Sequence, residues 1–217
     1  MNLPLSKKLP RQEFVSLAEL QDRFIDAIYS FDKNLILHGG TAIWRCYSGN
    51  RFSYDIDAYV RSNSELNLIS RELTWALSKN GANLDKVRRI GKSMIAQISN
   101  PDAQLKAELG IKKAQRSIIK EYERADGTFV NVLTLTPEDF ILEKIAAYSG
   151  RRYIRDLYDI YHLMNYVTRK KAIHKALFKF MREIERPVNL NELPIVVYSG
   201  ISPTYQGMLD YIMRRLE

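Results

Sequence analysis

The spacing of the apolar residues changes at Thr136-Pro137, and that change limits the folds open to this 217-residue chain. Before it, short apolar runs stopped by glycines are interleaved with helical stretches; after it, apolar residues recur only at helical spacing. Residues 11–31 read as an amphipathic helix built on Phe14, Leu17, Ala18, Phe24, Ile25 and Ile28. Leu35-Ile-Leu reads as a strand halted by Gly39-Gly40, with a short helix from Thr41. Tyr54–Val60 is a second strand, in which Ile56 points away from Asp55 and Asp57. A helix over 63–79 ends at Asn80-Gly81, and strands follow at 86–91, 93–99 and 104–111. A hairpin turns at Asp126-Gly127 between 117–123 and 128–135. Thr136 as N-cap, Pro137 at the first helical position and Glu138 and Asp139 behind it then open a run of helices over 137–148, 152–168, 171–185 and 204–216. The fold class is therefore α/β (α+β): a mixed sheet with flanking helices in residues 1–135 and a helical domain in 136–217.

Charge narrows the partners. Lys and Arg outnumber Asp and Glu by 33 to 25, a net +8 that favours nucleic acid first, nucleotides second and anionic membrane third. The lone cysteine, Cys46, excludes a disulfide framework and a cysteine-built zinc site. Three histidines, His38, His162 and His174, argue against a histidine metal centre. No stretch approaches the ~20 apolar residues of a membrane span. Residues 1–8 lack a signal-peptide core, so the expected setting is the cytoplasm, with no membrane partner. Cys46 is expected to be buried and inert, and Trp44 and Trp75 to lie in the core.

The chemistry is concentrated between residues 37 and 57. With 12 aspartates in the chain, chance alone supplies roughly 0.7 Asp-x-Asp pairs, so the pair needs its context. That context is a Gly-Gly turn between strand and helix, followed by aspartates on the next strand. Asp55 and Asp57 project from one face, where crowded carboxylates repel unless a proton or a hard cation intervenes. Gly39 and Gly40 let backbone N–H groups approach phosphate oxygens at a helix start, and Thr41 could add a hydroxyl. Glu108, which shares a face with Lys106 and opposes Leu105, Ala107 and Leu109, is the candidate third carboxylate. The bland alternative makes all three acids solvated positions on half-buried strands.

At these residues the sequence resembles the DNA polymerase β-like nucleotidyltransferase superfamily, and more closely the AbiEii/MenT nucleotidyltransferase toxin family. The resemblance rests on Gly39-Gly40-Thr41-Ala42, Gly49, Arg51-Phe-Ser53 and Asp55-Ile-Asp57, then on Glu143-Lys144 and Arg155-Asp156-Leu-Tyr-Asp159. Ala58-Tyr59 departs from the bulky apolar residues more usual after the aspartates, and residues 187–217 match no motif. The resemblance implies a nucleotidyltransferase-type sheet and Mg²⁺-dependent transfer of a nucleoside monophosphate from an NTP. It implies one or two ions on Asp55, Asp57 and Glu108, with Gly39, Gly40, Thr41, Arg51, Ser53, Lys144 and Asp156 toward the nucleotide. For some members the acceptor is the tRNA 3′ end, and the setting is a toxin–antitoxin or phage-defence system with a separately encoded antitoxin.

The second block has two readings. Lys144 could serve the triphosphate and Asp159 the nucleotide or acceptor, with Glu143 supportive. Alternatively, a Lys144–Asp159 or Arg155–Asp156 ion pair pins two helices. Residues 151–186 hold ten Lys or Arg against four Asp or Glu. They could grip an RNA backbone or simply be solvated helix faces, and the tyrosines among them, at 153, 158, 161 and 166, are expected to pack. Other functions stay open: transfer to a small molecule or a protein side chain, or a non-catalytic nucleic-acid or antitoxin-binding module.

Overall fold

The computed structural model describes residues 3–113 and 116–216, and in it the chain gathers into two units. The first runs to Ser48 and resumes over Phe52–Thr134. Its helices are α1 (Leu5–Lys8), α2 (Gln12–Phe31), α3 (Gly39–Cys46) and α4 (Asn63–Lys79). Its strands are β1 (Ile36–His38), β2 (Ile56–Val60), β3 (Asn83–Ile90), β4 (Ser93–Asn100), β5 (Ala103–Ile111), β6 (Ile118–Glu123) and β7 (Phe129–Thr134).

These strands form one mixed sheet in the order β3-β4-β5-β2-β1-β7-β6. The pairs β2–β5 and β1–β7 are parallel, and the remaining neighbours are antiparallel. Alternation sorts the side chains: Ile56, Ala58 and Val60 of β2 and Leu105, Ala107 and Leu109 of β5 are buried. Helices α2 and α4 pack against this apolar side. Asp57, Tyr59 and Glu108, at the intervening positions, are half-buried on the opposite face.

Helix α4 corrects one expectation. Its buried stripe is Leu66, Ile69, Leu73, Ala76 and Leu77, and Trp75 falls beside that stripe rather than on it. Trp75 is 59% exposed, with the Lys79 ammonium 4.0 Å from its ring centroid, whereas Trp44 is buried. Cys46 is buried as expected, and burial pushes its thiol pKa up to about 12.

A buried polar knot ties α2, α3 and β6 together. Arg45 donates to Asp22 Oδ1 at 2.8 Å, the Tyr122 hydroxyl donates to the same oxygen at 3.0 Å, and the Ala125 N–H reaches Oδ2 at 2.7 Å. Burial raises the Asp22 carboxyl above its ordinary value, against the pull of Arg45.

The second unit comprises Gly49–Arg51 and the chain from Leu135 onward. It contains α5 (Pro137–Arg151), α6 (Ile154–Leu163), α7 (Lys170–Glu183), a 3-10 turn (Leu190–Glu192), α8 (Leu193–Val196) and α9 (Tyr205–Leu216). Thr136 caps α5 by accepting the Asp139 N–H at 3.2 Å, as its sequence predicts, a contact of about 1 kcal/mol. The turn at 190–192 and α8 had no sequence signal. Residues 49–51 join this unit through an Arg51–Val197 bridge and a Tyr198 N–H donating to the Asn50 carbonyl at 3.0 Å. Among the described residues no helix is long and apolar enough to cross a membrane.

Candidate active site

The site starts from a backbone conformation. β1 ends at His38, and Gly39 turns directly into α3 with φ +72°, a left-handed value that favours glycine. The turn brings its Cα against Asp57: a Cβ at residue 39 would lie 2.2 Å from Asp57 Oδ2 and 2.9 Å from its Cβ. The helix therefore begins at Gly39 itself, two residues earlier than its sequence suggests. Its N-cap residue, His38, makes no side-chain hydrogen bond to the first turn. The N–H groups there are of the kind that bind anions.

Register supplies the next carboxylate. Asp57 lies opposite His38 on β1 and opposite Glu108 on β5, so all three share one face and one row. Glu108 is 43% exposed, with the Lys106 ammonium 3.6 Å away. His38 stacks flat on Tyr59, centroids 3.6 Å apart, and Lys112 stands 4.5 Å from the Tyr59 centroid. Asp55 is exposed in the bend just before β2.

That bend is tied down from behind. The fully buried Thr41 hydroxyl donates to the Asp55 carbonyl at 2.5 Å, so it serves the polypeptide rather than standing open to a phosphate. Gln21 Nε2, also fully buried, donates to the Ser53 carbonyl at 2.9 Å and the Tyr54 carbonyl at 3.3 Å. Phe52 stacks on Phe14 at 4.1 Å. Neither Gln21 nor His38 is picked out as functional by its sequence. Gln21 did leave a signal: it is a polar residue on the apolar stripe between Leu17 and Phe24.

The helical unit gathers the second block into a buried charge cluster. Lys144 lies 3.1 Å from Asp156 Oδ1 and 2.6 Å from Asp159 Oδ2. Arg51 grips Asp159 through Nε and Nη2, both at 2.9 Å, and Arg151 grips Asp156 at 2.8 and 2.9 Å. Burial works against the charge on Asp159, but Arg51 and Lys144 outweigh it and hold the carboxyl below its ordinary value. The geometry selects the Lys144–Asp159 pair of the two considered above; Arg155 instead faces Glu192 at 4.0 Å. Arg51 is held in this cluster, while Ser53 belongs to the sheet unit. Glu143 is half-buried on α5.

A family model described as nucleotidyl transferase AbiEii toxin, type IV TA system, matches residues 23–214. The chain belongs to the AbiEii family. This AbiEii protein is thus a nucleotidyltransferase of a toxin–antitoxin family, which implies an NTP substrate and an antitoxin partner. Two solved structures share its fold. JHP933 from Helicobacter pylori is 16% identical, with a TM-score of 0.59 over 95% of this chain and 89% of that one. A candidate nucleotidyltransferase from H. pylori is 16% identical, with a TM-score of 0.58 over 95% of this chain and 92% of that one. No protein of curated function matches the sequence.

The donor chemistry of the AbiEii sheet face and of the bend before β2 suits a hard divalent ion, because Asp57, Glu108 and Asp55 offer only carboxylate oxygens. The cradle at Gly39 holds one of those carboxylates at the helix start. As the side chains stand, no three His, Cys, Asp or Glu among the described residues converge into a finished metal cage. Mg²⁺ commonly takes one or two carboxylates and completes its shell with water and substrate phosphate, so a finished cage is not what the ion needs.

Proposed function

We propose that this AbiEii protein transfers a nucleoside monophosphate from an NTP to the 3′ end of a tRNA, with one or two Mg²⁺ ions held by Asp55, Asp57 and Glu108. The reading is carried by one observation: Asp57 is seated against Gly39 and in register with Glu108. Bound there, the cation would offset the repulsion between the carboxylates and polarise the phosphate oxygens.

The chain's own residues supply the rest. Backbone N–H groups at Gly39 and Gly40 bind the β- and γ-phosphates. Thr41 acts at one remove, holding the Asp55 bend in place. Glu108 accepts the proton of the acceptor hydroxyl as its oxygen bonds to the α-phosphorus and the bond to pyrophosphate breaks. Ser53 lies toward the nucleotide from the α/β domain (1–135). From the helical domain (136–217), Lys144 adds positive charge for the triphosphate, while Asp156 and Asp159 hold it in place and Arg51 fixes Asp159, a preorganised electrostatic contribution. The protein works in the cytoplasm and is restrained by a separately encoded antitoxin.

The test incubates the protein and its Asp57→Asn variant with total tRNA, Mg²⁺ and each α-labelled NTP in turn. Label entering tRNA with the parent protein alone is the expected result. No label from any NTP, with protein shown to be folded, removes tRNA as the acceptor.

A further inference from the structure

We infer that the β3–β4 flank of the sheet is a lane for the RNA backbone, leading the acceptor strand to Glu108, with Lys86 and Arg88 as its phosphate contacts. This rests on the RNA-directed transfer proposed above and adds the surface that holds the acceptor.

Register carries the argument. Arg88 lies opposite Ile95, Ile95 opposite Glu108, Glu108 opposite Asp57 and Asp57 opposite His38. Residues paired in this way point to one face, so a single row crosses five strands. A second row runs from Lys86 through Gln97 to Lys106. Strands are about 4.8 Å apart, which puts the Arg88 backbone about 10 Å from that of Glu108.

The neighbouring cation is used differently. Arg89 points to the other face, where it donates to Asn63 at 2.9 Å and to Asn67, both on α4. Lys86 and Arg88 are exposed, and neither has an ion-pair partner among the described residues. Residues 86–97 contain four Lys or Arg and no Asp or Glu. A carboxylate site repels the phosphodiester chain it must receive. Cations beside it offset that repulsion and steer a polyanion inward without reading its sequence. Cations on the face that bears Glu108 favour a phosphate backbone over a protein strand added to the β3 edge.

The test measures binding of labelled tRNA by the full chain across a salt series. The Lys86→Gln/Arg88→Gln double variant is compared with Arg71→Gln/Lys79→Gln, which removes the same charge from α4. The lane variant is expected to bind about ten- to a hundred-fold more weakly at 0.1 M salt, with the slope of log K against log salt shallower by about 1.4 to 1.8, for two lost phosphate contacts. The α4 variant should stay within about twofold of the parent. Equal weakening by both variants, or by neither, overturns the lane and leaves RNA as acceptor. A parent protein that binds no tRNA removes the lane and the RNA acceptor together. A lane variant that keeps tRNA but loses the antitoxin reassigns the surface to protein and also overturns the inference.

Discussion

Oδ2 of Asp57 occupies the space that a side chain on residue 39 would need: a Cβ there would approach it to 2.2 Å. The glycine is thus required twice, once for its φ of +72° and once for the carboxylate seated on it. This is how a strand–turn–helix unit and a separate strand become one site.

Gly39→Ala is expected to lower transfer at least about a hundredfold, because the carboxylate must move about an ångström or more. Left-handed strain adds about 1–2 kcal/mol of destabilisation. Gly150→Ala, at an exposed helical position where a Cβ meets nothing within 4 Å, should leave transfer unchanged. It should also add a few tenths to about 1 kcal/mol of stability. Transfer assays and thermal melts on both variants check the contrast.

Thr41→Val keeps the shape of the side chain and removes the hydroxyl that holds the Asp55 carbonyl. The lost bond should cost about 1–2 kcal/mol. Transfer should fall about tenfold as the bend loosens. Thr41→Ser restores the donor and should recover most of both. Recovery in melts without recovery in transfer would falsify the positioning role.

Lys144→Met takes one of two cations from each of two buried carboxylates, which keep Arg51 and Arg151, and should cost about 1.5–3 kcal/mol at pH 7. The pH dependence follows from Asp159, whose folded carboxyl Arg51 and Lys144 hold below its ordinary value. Stability from a depressed carboxyl is complete above the unfolded pKa and is lost as pH falls through the folded one. The gap between the two proteins should therefore narrow from pH 7 to pH 3, where the variant's Asp159, left with Arg51 alone, takes up its proton first. Denaturant titrations at both pH values measure the gap, and a constant one contradicts this account. Transfer per folded molecule should also drop, since Lys144 is assigned charge for the triphosphate; full activity would leave it a packing role alone.

The two tryptophans should separate by solvent access. Trp75 is 59% exposed and Trp44 only 2%. A neutral quencher should extinguish one component of the emission, and Trp75→Phe should remove it. Quenching that persists unchanged in the variant would put the exposure elsewhere.

Much of this was written in the sequence. Period-2 alternation in 104–111 sets Glu108 opposite Leu105, Ala107 and Leu109 whatever the neighbouring strand is. The glycines at 39 and 40 mark a strand-to-helix turn, and Thr136-Pro137 starts a helix by local capping. The size of Trp75 suggests burial, but its place around α4, beside the buried stripe, leaves it exposed.

Partners across long separations were not legible. That Asp57 meets Glu108 on one side and His38 on the other depends on which strands pair and in what register, and a slip of one residue would send each side chain to the opposite face. Asp156 takes Arg151 and Lys144, while Arg155 turns toward Glu192. Arg51, only four residues from Asp55, folds with the helical unit against Asp159. Local periodicity and capping act within a few residues, so the sequence by itself determined most of the elements and the faces of the strands. Register and buried charge pairing depend on the packing of the whole chain, and only the tertiary structure decided them.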